Sequence, residues 1–95
     1  MDKYELLEVK LNKVSECIDN VKINTESSKK YLKQYKEYVE KLLCATRAKT
    51  IRNSNGALLG LIKGISEYDE LCSCQELWNA VVDADNYYSN ECKLF

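Results

Sequence analysis

The sequence contains no histidine and no proline, and only three of its 95 residues are glycine. Without histidine, the chain lacks the commonest general base and the commonest metal ligand of proteins. Without proline it has few obligatory breaks, which favours long helices joined by short connections. No apolar run approaches the ~20 residues that span a bilayer, and the first residues do not resemble a signal peptide. The sequence therefore predicts a soluble, cytoplasmic, all-α protein, which would act in the host cell if it is viral.

Further absences argue against catalysis and against a cofactor. The three glycines match neither a phosphate-binding loop nor a dinucleotide fingerprint. The five cysteines are odd in number and irregularly spaced, so we interpret them as reduced thiols. Cys72 and Cys74 are separated by one residue, whereas paired zinc ligands are typically separated by two to four. We predict no enzymatic activity, no metal and no cofactor.

The dominant pattern is a heptad repeat of apolar residues over positions 4–42. Such a repeat is typical of a helix that lies along another helix. Two polar residues, Thr25 and Ser28, interrupt the repeat at neighbouring positions and would form one polar layer. We call the remaining ten positions the seam; they are Tyr4, Leu7, Leu11, Val14, Ile18, Val21, Leu32, Tyr35, Val39 and Leu42.

The heptad phase is the same before and after residues 24–28, which favours one continuous helix over 2–52. Asp2 with Glu5 predicts a capping box at its start. Such a helix would extend roughly 75 Å and leave part of the seam uncovered. This predicts a homo-oligomer, with a dimer favoured, or a helical protein partner. The alternative is a break at the cap-forming residues 24–28, which permits a compact four-helix bundle.

The second half predicts a turn and one or two further helices within the same single domain, 1–95. The turn is expected at 53–56, followed by helices over 57–71 and 74–91. Gly56, Gly60 and Gly64 fall four residues apart, which indicates close approach of another helix or a ligand, or else a mobile helix start. Trp78 and Tyr88 are interpreted as anchors of the core or of an interface.

Charge is unevenly distributed along the chain. Residues 25–56 carry eight bases and three acids, net +5, whereas residues 57–95 carry two bases and seven acids, net −5. Folding one segment onto the other would cancel both fields, and so would pairing them between two chains.

Two functions are compatible with these patterns. The first is a non-enzymatic assembly module that binds helices, such as a phage or viral accessory factor or a small subunit of a complex. The alternative is an inhibitor or sequestering protein that holds a phosphate-bearing ligand, a nucleotide or a nucleic acid, on its basic helix over 29–52. No membrane partner is expected. The predicted ligand-binding residues are Lys29, Lys30, Tyr31, Lys33, Tyr35, Lys36 and Tyr38.

Overall fold

The structure is a computed structural model that describes residues 2–95. Its first helix, α1, spans Lys3–Asn20. The helix begins as the sequence predicts, because the Asp2 carboxylate accepts a hydrogen bond of 2.8 Å from the backbone amide of Glu5. One face of α1 is buried, and its members are Leu7, Leu11, Val14, Cys17 and Ile18.

The continuous helix predicted over 2–52 is not formed. The backbone becomes extended at Val21 and stays non-helical through Thr25; we call residues 21–25 the elbow. A second helix, α2, then spans Glu26–Arg47. The β-branched and polar residues of the elbow have low helix propensity. The turn they permit brings the two halves of the seam together.

Helices α1 and α2 run antiparallel. Arg47, near the end of α2, bonds Glu8 at 3.0 Å near the start of α1, and Lys36 pairs with Asp19 near the end of α1. The radius of gyration is 13.0 Å, and the longest dimension is 39 Å. That radius is typical of a globular chain of ~100 residues. It is incompatible with a straight helix of roughly 75 Å.

Beyond α2 the helices are shorter than predicted. The expected turn at 53–56 is present at Asn55 and Gly56, which both have positive φ. The expected helix over 57–71 is replaced by α3, Leu61–Ser66, and α4, Asp69–Cys72. Gly60, at φ 87°, delays the start of α3, and the extended backbone of Tyr68 separates the two helices.

The last helix, α5, spans Gln75–Glu91 and begins one residue later than predicted. Cys74 occupies its N-cap position and makes no side-chain capping hydrogen bond. The break expected near 72–73 is present, between the end of α4 and this cap. The all-α prediction is confirmed, and α1 packs against both α2 and α5.

Candidate functional site

A groove lies where α1 turns into α2 through the elbow. We call it the elbow groove; its lining residues are Ile18, Asp19, Val21, Ile23, Lys29, Leu32, Lys33 and Lys36. Its apolar lining comes from both helices and from the elbow itself. Ile18 is buried, whereas Val21, Ile23 and Leu32 remain half-buried. Half-buried aliphatic side chains leave apolar surface in water, and a covering partner would stabilise them.

Three lysines form the rim of the elbow groove. Lys29, Lys33 and Lys36 are spaced i, i+4, i+7, which places them on one side of α2. Lys36 pairs with Asp19, and Lys29 lies 3.7 Å from the exposed carboxylate of Glu26. Among the described residues, Lys33 has no ion-pair partner within 4.0 Å. The rim therefore keeps a net positive charge.

The tyrosines predicted to bind ligand face another part of the fold. The Tyr35 hydroxyl donates to the carbonyl of Leu61 at 2.8 Å, and the Tyr38 hydroxyl donates to the carbonyl of Leu59 at 2.6 Å. Tyr31 donates to the carbonyl of Gly64, and its ring stacks on Tyr68 with centroids 4.1 Å apart.

The predicted Lys/Tyr cluster is therefore divided. Burial raises the pKa of Tyr35 far above its ordinary value, so this hydroxyl stays a neutral donor to backbone. The tyrosines fasten α2 to residues 59–64 and do not join the lysines. Lys30 is exposed, and it does not line the elbow groove. Only three of the seven predicted ligand residues come together.

Most of the seam is covered by this chain's own helices. Leu7, Leu11, Val14 and Val39 are fully buried, and Tyr4 stacks on Phe95 with ring centroids 4.2 Å apart. Val21 and Leu32, by contrast, stay half-buried in the elbow groove. The long exposed seam from which an oligomer is predicted is therefore reduced to this short stretch, and an oligomer stays a prediction.

The three glycines serve two different purposes. A Cβ added at Gly64 would lie 2.7 Å from Cε1 of Tyr35, so the ring lies against this backbone and leaves no room for a side chain. The close neighbour at Gly64 is thus a side chain of α2. A Cβ added at Gly56 or Gly60 would have no heavy atom within 4 Å. Their role is positive φ, which L-residues with side chains rarely adopt.

The two predicted aromatic anchors have different environments. Tyr88 is buried, and its hydroxyl donates to the carbonyl of Arg52 at 2.7 Å, so it is a core anchor. Trp78 is half-buried on the outward side of α5. We call this outward side the α5 face; its members are Trp78, Asn79, Val82, Asp83, Asn86, Tyr87, Asn90 and Glu91.

The sequence reasoning missed Asp85. Its side chain is fully buried, and its two carboxylate oxygens accept from the backbone amides of Leu59 at 3.0 Å and Ile62 at 2.8 Å. Burial raises the pKa of Asp85, and the bonds from these amides oppose that rise. A signal was present, because Asp85 lies on the same helical stripe as the buried residues Val81 and Tyr88.

The elbow is held in place by a carboxylate from α4. Glu70 accepts a hydrogen bond of 2.9 Å from the backbone amide of Asn24. Bonds from this amide and from the hydroxyl of Thr25 lower the pKa of Glu70 from its ordinary value. The shape of the elbow groove thus depends on a residue far along the chain.

This contact predicts a pH dependence. A carboxylate with a lowered folded pKa stabilises the fold above the unfolded pKa, near 4.5, and the contribution is lost as pH falls through the folded pKa. We expect Glu70→Gln to lower the urea midpoint at neutral pH, and this difference from wild type to shrink in acid. Glu67→Gln is the control, since Glu67 makes no hydrogen bond to the elbow among the described residues. A difference that grows on acidification would contradict the assignment.

Other kinds of site are not assembled in the part of the chain that the structure describes. Over residues 2–95, no three cysteine or acidic side chains come together as a metal-binding group, and all five cysteines are free thiols. Within the same residues, no helix is both long enough and apolar enough to cross a membrane. No protein-family model, curated protein or solved structure matches the chain. The elbow groove brings apolar surface and unbalanced charge together.

Proposed function

We propose that the protein is a non-catalytic interaction module that binds a partner protein in the elbow groove. The observation that supports this is the half-buried apolar floor of Val21, Ile23 and Leu32 beside the lysine rim. A phosphate-bearing ligand is held by cations and hydrogen-bond donors and gains little from aliphatic side chains. A protein segment that carries both apolar and acidic side chains matches both features.

The spacing of the rim suggests how such a segment lies. Lys29 and Lys36 are seven residues apart on α2, which is about 10 Å at 1.5 Å per residue. A partner helix that runs along α2 would present acidic side chains to the lysine rim and apolar side chains toward the floor. This role suits an accessory factor or a small subunit of a larger complex, whether phage, viral or cellular, acting in the cytoplasm.

The test uses a synthetic amphipathic peptide with leucines on one face and glutamates beside them. We expect it to shift the methyl NMR signals of Ile18, Val21, Ile23 and Leu32. We also expect Lys33→Glu to weaken its binding by about tenfold or more, because placing like charges together at an interface costs several kcal/mol. Lys41→Glu is the matched control: it makes the same charge change on α2 at a residue outside the elbow groove.

Two further arms separate this function from phosphate binding. A peptide with serine in place of leucine should lose most of its affinity, and inorganic tripolyphosphate should not compete at physiological salt. If the serine peptide binds equally well, or tripolyphosphate displaces the leucine peptide, the groove recognises charge alone. The phosphate-ligand function would then replace the one proposed here.

A further inference from the structure

We infer that the partner that fits the elbow groove is the α5 face of a second copy of this chain. This rests on the proposed function, since it names the occupant of the same groove. The association is head-to-tail: the groove of one copy takes the α5 face of the next. Two different surfaces meet, so both remain available at the ends of any open assembly.

The first argument is that no ion pair joins the two oppositely charged segments among the described residues. Among the ion pairs of the described residues, the cations of segment 25–56 pair with acids in α1, in α2 or at the N-cap of α1. None pairs with an acid of segment 57–95 in this part of the chain, and Asp83 pairs instead with Lys10 of α1. Within the chain, Lys29 helps to lower the pKa of Glu70, but it forms no ion pair with it. Most of the charge of both segments therefore stays available for pairing between chains.

The second argument is the chemistry of the α5 face. The α5 face contains two acids, Asp83 and Glu91, and no base. Trp78 and Val82 lie half-buried on its outward side, and the Asp83 side chain next to them is 59% exposed. Tryptophan is the residue most enriched among those that dominate protein interfaces. This is the apolar and acidic combination that the elbow groove suits.

The third argument is the fit between the two surfaces. Trp78 and Val82 would cover the floor at Ile23 and Leu32, while Asp83 would approach Lys33, the rim lysine without an acidic partner. Asp83 keeps its 2.8 Å bond to Lys10 in the free chain, and its exposure leaves it accessible to a second cation. The contact would bury the apolar floor of the elbow groove, and the positive rim and the acidic α5 face would neutralise each other.

The experiment is light-scattering mass across a concentration series at low salt, starting from the 11.0 kDa chain. We expect the wild-type mass to rise continuously with concentration and to fall back as salt is added. Lys33→Glu on the groove and Asp83→Lys on the face should each weaken association by about tenfold or more. Trp78→Ala should do the same, whereas Lys41→Glu should behave as wild type.

Mixing the two charge-reversed variants is the decisive step. Lys33→Glu retains an intact α5 face, and Asp83→Lys retains an intact groove, so an equimolar mixture should regain a mass above that of either variant alone. Circular dichroism of each variant shows whether it is folded. If groove met groove, Asp83→Lys would still associate by itself, and if face met face, Lys33→Glu would. In neither case would association depend on mixing the two variants.

The inference is overturned by a wild-type chain that stays at 11.0 kDa throughout, by an unchanged mass in Lys33→Glu, or by a mixture that does not associate. Its failure is separable from that of the proposed function. If the chain is monomeric but the leucine–glutamate peptide still binds the elbow groove, the module stands and its partner is another protein. If neither associates, both fail.

Discussion

Replacing Asp85 with alanine is expected to lower the free energy of unfolding by about 2–4 kcal/mol. The fully buried carboxylate accepts from the amides of Leu59 and Ile62, and neither amide has another acceptor among residues 2–95. Alanine would leave both amides buried without an acceptor, each at a cost of about 1–3 kcal/mol. Removing a desolvated charge offsets part of this loss.

Urea denaturation measures this effect, and two variants sharpen it. Asp85→Asn preserves the side-chain volume but places a side-chain NH2 donor opposite one of the two backbone N–H donors. We therefore expect it to lower the free energy of unfolding by about 1–3 kcal/mol. Asp83→Ala is the matched control, since the exposed Asp83 makes only a surface ion pair, for which about 0–1 kcal/mol is typical. Equal effects at positions 83 and 85 would show that Asp85 does not hold residues 59–62.

Replacing Leu11 with alanine is expected to lower the free energy of unfolding by about 2–5 kcal/mol. Leu11 is completely buried in the core of the chain, with a relative solvent accessibility of 0%. Truncation would remove buried methyl groups and leave a cavity. Val9→Ala is the control, because Val9 is 52% exposed and surface changes usually stay within about 0.5 kcal/mol.

The same variant tests where the seam is covered. If Leu11 packs within the chain, Leu11→Ala lowers the urea midpoint while the light-scattering mass follows the wild-type curve at each concentration. If instead the seam joined two chains, truncation would shift the mass towards 11.0 kDa. That second result would contradict the fold and restore the long-helix interpretation.

Several local features could be predicted from the sequence because they depend on neighbouring residues. Asp2 caps α1 through a residue three positions away, and the turn at Asn55 and Gly56 depends on residues that tolerate positive φ. The heptad repeat also identified buried positions such as Leu7 and Val39. These features need no knowledge of the distant chain.

The candidate site was predicted only in parts. Ile18, Val21 and Leu32 were assigned to an interchain seam, while the rim lysines were assigned to a ligand site. The elbow joins these two sets and adds Ile23 and Asp19. The hydroxyls of Tyr35 and Tyr38 donate instead to backbone carbonyls, whose positions a residue pattern does not reveal.

By itself, the sequence determined that the protein is helical, where its apolar face lies and which segments carry opposite charge. Only the tertiary structure decided that the chain doubles back at residues 21–25, with Glu70 holding the elbow and Asp85 holding residues 59–62. The physical reason is that the hydrophobic effect is non-directional. An apolar stripe must be covered, but a copy of the chain or a distant part of the same chain covers it equally well until specific hydrogen bonds select one.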